Sequence, residues 1–325
     1  MSGNDESRLD ILDRIIRDVI AQSAVQVDTE GVFPTEGIQA LAEAGFLRLT
    51  VPVTDGGYGA VASEFSEVVF RLAKACASTA MVYVMHATAL NSVLSLPESE
   101  QRTRHLSRIC ENNLLITEAI SEPGSGSQWW SVASTAEKID GGYHITADKT
   151  FSTSAGHADE YVVSTRTPAS DNERDHAIFL VRKDQGTIES GVWRGLGLAG
   201  NSSTWITFRS EVDASALLYS AADGGGLRRY NEVNQPIYHL GVSSAYLGIA
   251  TAAYEAALGR VRARRYSGNP AGFGSNLSQY PIARRHIGEM AIRLAGVRGL
   301  ISELSRRIES GATLKEMAVQ MTAAR

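Results

Sequence analysis

Ile120-Ser121-Glu122-Pro123-Gly124-Ser125-Gly126-Ser127 is a turn made of small residues and main-chain donors. A second short run, Lys149-Thr150-Phe151-Ser152-Thr153, can lay one aromatic ring and two hydroxyls beside a flat heterocycle. Between them, Ile139-Asp140-Gly141-Gly142-Tyr143 joins two alternating segments, the pattern of a β-hairpin. One hairpin therefore separates two stretches that read as two walls of one site.

Working outward, residues 161–165, 177–181 and 204–208 read as further strands separated by Gly, Asp and Asn. Short strands at that spacing predict a small barrel or sandwich over 113–225. Upstream, residues 1–112 read as a helical domain. Leu9, Leu12, Ile16, Val19 and Ile20 recur at three- and four-residue steps, an amphipathic helix. Phe33-Pro34 opens a second helix that Gly45 closes. The apolar stretches 65–75 and 79–94 are long enough for two more, and Pro97 starts another. Downstream, residues 226–325 read as an antiparallel helical bundle. Leu240, Ser244, Leu247, Thr251, Tyr254, Leu258 and Val261 form one stripe; Ile287, Met290, Leu294, Val297, Ile301 and Leu304 form another. A third helix begins at Thr313. The fold class expected is thus α+β and multi-domain: helical N-terminal domain, small β-domain, and a helical bundle that is incomplete at Arg325. Its open apolar faces call for cover by the N-terminal helices, another subunit or further chain.

Composition narrows the function. The 325 residues are 43% hydrophobic with a net charge of −5, which gives no global attraction to nucleic acid or anionic lipid. The two cysteines, Cys76 and Cys110, form neither a metal-ligand spacing nor a disulfide framework. The acidic, polar start lacks signal-peptide character, and no apolar run reaches membrane-span length. The reading is a soluble, cytoplasmic protein without nucleic-acid, membrane or metal chemistry.

With these motifs in order, the chain resembles the acyl-CoA dehydrogenase family over nearly its whole length. The resemblance rests on Phe33-Pro34, Leu41-Ala42-Glu43-Ala44-Gly45, Val51-Pro52 and Gly56-Gly57-Tyr58-Gly59 in residues 28–60. Ser121-Glu122-Pro123-Gly124-Ser125-Gly126-Ser127 is similar to the family's Thr-Glu-Pro-x-x-Gly-Ser signature, and Lys149-Thr150-Phe151-Ser152-Thr153 to its Lys-x-Trp-Ile-Thr. Gly195-Leu196-Gly197-Leu198-Ala199-Gly200 resembles its central glycine loop, with Ala199 where an arginine is more usual, and Leu247-Gly248 and Arg264 follow in register.

The resemblance implies FAD held between the β-domain and the C-terminal helices near a subunit interface. It also implies an acyl thioester such as an acyl-CoA as substrate, electron-transfer flavoprotein or oxygen as acceptor, and a homo-oligomer, dimer or tetramer. The cofactor residues it implies are Ile120 and Ser121 at the isoalloxazine ring, Ser127 toward the ribityl and diphosphate, Phe151, Ser152 and Thr153 with Thr153 near N5, and Arg264 on a diphosphate, often that of the neighbouring subunit. Read from the residues alone, a surface turn, an ordinary strand phenylalanine and a solvated basic helix end stay open as alternatives. The tryptophan pair Trp129-Trp130 lines a wall or caps the barrel. No catalytic base is assigned: the minority family position falls on Tyr238, Glu232 is expected before the helix, and Glu255 is expected to be a surface charge. Three functions follow: α,β-dehydrogenation of an acyl thioester, flavin-dependent monooxygenation on the same scaffold, or a non-catalytic subunit of a heteromer.

Overall fold

The computed structural model describes residues 7–125, 128, 130–267 and 274–323. Ser7 starts the first helix through a reciprocal cap with Asp10. Helix α1 (Arg8–Ile15) passes through a π turn (Ile16–Ile20) into α2 (Ala21–Glu30), so the stripe expected as one helix is widened midway. Helix α3 (Thr35–Glu43) begins directly after Pro34, and Gly45 closes it at φ +80°, a conformation glycine takes without strain. Helices α4 (Ala62–Ala75) and α5 (Ala77–Leu94) are separated only by extended Cys76. Helix α5 carries no Lys, Arg, Asp or Glu and is buried over most of its surface, as suits a central helix. Ser99 caps α6 (Glu100–Glu111).

The strands β1 (Ile116–Ala119), β2 (Thr135–Ile139), β3 (Gly142–Ser152), β4 (Glu160–Arg166), β5 (His176–Arg182), β6 (Thr187–Ser190), β7 (Thr204–Asp213) and β8 (Leu217–Ser220) form two four-stranded sheets. One runs β1-β4-β5-β8 and the other β2-β3-β7-β6. The β1–β4 pair is parallel and the other pairs are antiparallel. The β2–β3 hairpin turns at Gly141, as expected. Tyr161 meets Phe208 edge-on at 5.3 Å, and Tyr143 meets Phe179 at 5.1 Å. Strands β1, β6 and β8 are additional to those read from the sequence.

Helix α7 (Gly226–Ala263) crosses α4 and α5; α8 (Pro281–Glu309) returns along it, and α9 (Leu314–Ala323) packs on both. The α4–α7 contact is close because Gly248 has no side chain: a Cβ there would stand 2.5 Å from the Phe70 carbonyl oxygen. Ser66 and Ser244 share a hydrogen bond at the same contact, 2.8 Å. The stripe on α7 is buried at Leu240, Ser244 and Leu247 and half-buried from Thr251 on. No described helix is long and apolar enough to cross a membrane.

Candidate functional site

The two decisive stretches are fastened to each other. Lys149, 1% exposed, donates to Glu122 Oε1 at 2.5 Å and to the Ser164 main-chain oxygen at 2.6 Å. Glu122 also accepts from the main-chain N–H groups of Ala133 (2.5 Å) and Ser134 (3.2 Å). Burial pushes the Glu122 carboxyl up, but the Lys149 ammonium and these donors outweigh it and hold it below the usual range. Burial lowers Lys149 to about 8, opposed by Glu122, so the ammonium still predominates at pH 7. Thr150 N–H donates to the Ser121 oxygen at 2.8 Å, and Ser152 Oγ to the Glu118 oxygen at 2.8 Å. These bonds hold the turn against the end of β3.

At that end the ladder between β3 and β7 slips between Lys149 and Ser152. Phe151 sits in the slip with φ +47°, a backbone region that costs a non-glycine residue energy. The slip lifts its ring off the sheet: Phe151 is 71% exposed and meets Trp193 edge-on at 6.5 Å. It is therefore not a core-facing strand residue. Thr153 Oγ1 shares a hydrogen bond with Ser203 Oγ at 2.7 Å.

Ile120, Ser121, Phe151 and Thr153 all border one cavity of about 430 Å3. Leu198, Asn201 and Ser203, from the end of the glycine loop and the residues after it, extend the same border. Met81 and Met85 of α5 line it as well. So do Tyr230, Asn234, Gln235 and Tyr238 from the first turns of α7. Ser152 does not line the cavity; its hydroxyl ties β3 to β1. Ser127 and Trp129 lie outside the described residues. Trp130 is exposed, and its main-chain oxygen bonds the His176 Nε2 at 3.0 Å.

Arg264 ends α7, its guanidinium over the Tyr266 ring at 5.0 Å. At 1.5 Å per residue it is about 39 Å along the helix from Tyr238. Within one chain it is remote from the cavity. Glu232, expected before the helix, lies inside α7 because the helix starts at Gly226; it pairs with Arg228 at 3.0 Å. Glu255 is on the surface, paired with Lys74 at 2.7 Å.

The residue missed by sequence reasoning is Glu118. It is 6% exposed and, among the described lining residues, the sole carboxylate on the cavity. Tyr230 donates to its Oε2 and Asn234 Nδ2 to its Oε1, both at 2.9 Å. Asn234 Nδ2 also reaches Ser92 Oγ of α5 at 2.7 Å. Burial raises the Glu118 carboxyl to about 7, against the lowering effect of these two donors. The one available signal was a carboxylate inside the apolar run Leu114-Leu115-Ile116-Thr117-Glu118-Ala119-Ile120.

Comparison with known proteins places this architecture. The acyl-CoA dehydrogenase N-terminal domain pattern matches residues 5–113, and that family's middle-domain pattern matches residues 117–210, together more than half of the chain. The chain belongs to the acyl-CoA dehydrogenase family. It is 27% identical to an acyl-CoA dehydrogenase of Bacillus subtilis (strain 168) over 288 residues, 88% of this chain and 74% of that protein. Its fold is shared with butyryl-CoA dehydrogenase of Megasphaera elsdenii (TM-score 0.86, 20% identity, 100% of this chain and 84% of the other). It is shared equally with the FMN-bound form of TdsC from Paenibacillus sp. A11-2 (TM-score 0.87, 22% identity, 97% and 82%).

Proposed function

We infer that this member of the family is an FAD-dependent oxidoreductase that introduces an α,β double bond into an acyl thioester. The observation that carries this reading is convergence. Two strands deliver Ile120, Ser121, Phe151 and Thr153 to one cavity, while α5 and α7 supply the rest of its wall. An uncovered aromatic ring at Phe151, with hydroxyls at Ser121, Thr153 and Ser203, fits a flat ring system rich in acceptors.

Ile120 and Ser121 would hold that ring from β1 and the turn, with Phe151 and Thr153 against it from β3. The Lys149–Glu122 pair keeps the two segments in register. Bound flavin would supply the acceptor for hydride from the substrate's β-carbon. The Met81 and Met85 side chains give the acyl group an adaptable apolar surface and help exclude water. Arg264 would serve a cofactor only across a subunit boundary, which suits a homo-oligomer. The B. subtilis relative's name and the FMN bound by TdsC support the substrate class and the cofactor class.

The test is anaerobic. Protein loaded with FAD is mixed with a series of acyl-CoA thioesters and the flavin absorbance is followed. Bleaching by a thioester supports dehydrogenation, with electron-transfer flavoprotein or oxygen restoring the colour. Turnover only with an added flavin reductase and oxygen would shift the assignment to monooxygenation.

A further inference from the structure

An ordinary acyl tail needs only an apolar pocket, yet this cavity has a buried carboxylate on its wall. Glu118 projects from β1, which leads directly into Ile120 and Ser121, about 6.6 Å upstream of Ile120 at strand spacing. Its carboxylate is bonded on both oxygens by neutral donors of α7, Tyr230 and Asn234, and each oxygen keeps a further lone pair. Among the described residues no cation pairs with it. Lys149 is taken by Glu122, and Arg229 by the Ser95 main-chain oxygen and the Tyr219 ring. No lysine or arginine is among the described residues lining the cavity.

A second observation points the same way. Asn234 also lines the cavity, and its Oδ1 is buried without a hydrogen-bond partner. An ionised carboxylate can only accept, so with Glu118 charged the Asn234 amide must turn Nδ2 toward it, leaving Oδ1 as the free acceptor. The wall of the cavity thus carries a carboxylate and, buried behind its surface, an orphaned amide oxygen, both acceptors. Buried acceptors left unpaired are costly, and a ligand with several N–H donors would satisfy them together.

We propose that Glu118 and Asn234 form a recognition corner for a cationic N–H donor, a protonated amine, carried on the acyl portion of the substrate. This rests on the thioester reading above and narrows it to amine-bearing acyl thioesters. A recognition role fits the placement better than that of base. Glu118 lies on the strand that leads into Ile120 and Ser121, which would hold the flavin, whereas a group taking the α-proton must face the flavin across the substrate. The polar corner also accounts for Tyr230, which fixes the carboxylate while its ring walls the cavity.

The experiment compares a short series of ω-aminoacyl-CoA thioesters, each against the alkyl thioester in which methyl replaces ammonium. Binding to FAD-loaded protein is measured by calorimetry at pH 8. The wild-type protein should prefer the amino member of the best-bound pair by about tenfold or more, the size of a charge-assisted hydrogen bond. Glu118→Gln should abolish or invert that preference. Tyr230→Phe, which frees one carboxylate oxygen, should keep or enlarge it, and so tests the corner even if Glu118→Gln folds poorly. Equal or tighter wild-type binding of the alkyl member overturns the proposal, as does an undiminished amine preference in Glu118→Gln. FAD uptake with binding of neither thioester overturns the thioester reading and this proposal together. Absence of FAD uptake removes the flavin assignment itself.

Discussion

Glu118 and Glu122 lie four residues apart, and both are buried, yet their surroundings set them in opposite directions. Glu122 meets an ammonium and two main-chain N–H groups and is held below the ordinary carboxylate range. Glu118 meets a phenol and an amide and is raised to about 7. The first is an internal clamp with its charge answered inside the protein. The second borders open volume with its charge unanswered. Such a contrast separates a carboxylate that builds a site from one that meets what enters it.

The largest expected effect comes from breaking the clamp. Glu122→Gln or Lys149→Met leaves an uncompensated buried charge, costing about 3–5 kcal/mol. Thermal denaturation should show a large drop in melting temperature, and FAD uptake should fall with it as the Ser121 turn and the Phe151 bulge come apart. A small change in both would mean that the pair does not fix the site.

Glu118 should behave in the opposite way. Its folded value of about 7 lies above the ordinary 4.5, so between those pH values the unfolded chain releases a proton that the folded chain keeps. Stability therefore falls as pH rises through this window. The deficit is fully present above pH 7 and amounts to about 3 kcal/mol at most. The groups around this carboxylate are Tyr230 and Asn234 of α7, Ser92 of α5 behind Asn234, and Tyr219 of β8. None carries charge in that window. Chemical denaturation of Glu118→Gln at pH 5 and pH 8 should show the variant gaining on wild type at the higher pH. A pH-independent difference would contradict the assigned titration.

Phe151→Ala should leave chain stability within about 0.5 kcal/mol, because the ring is mostly in solvent. It should nevertheless weaken FAD binding in a fluorescence titration. Arg264→Ala is the smallest: no measurable change in the melting of the free protein, and weaker FAD binding only in material that sediments as an oligomer.

Much of the fold was legible because its signals are local. Pro34 and Gly45 bracket α3, Gly141 turns the β2–β3 hairpin, and the stripe on α7 is buried where α4 and α5 cover it. Strand β1 escaped because it is four residues long and buried on both faces, which removes the alternating pattern. Glu118 escaped with it. Its partners Tyr230 and Asn234 lie more than a hundred residues onward, so no spacing rule links them. Ser152 matched a motif, but its hydroxyl is used within the scaffold, which only the bulge geometry makes visible. Arg264 could be matched by position, yet the length of α7 removes it from the cavity of its own chain.

The most direct measurement is a titration of the purified chain with FAD, following flavin absorbance and fluorescence alongside the melting temperature. Saturable uptake with a shifted flavin spectrum and thermal protection, all reduced in Phe151→Ala, is the predicted result. Correctly folded protein that neither perturbs the flavin spectrum nor gains stability from it would contradict the account.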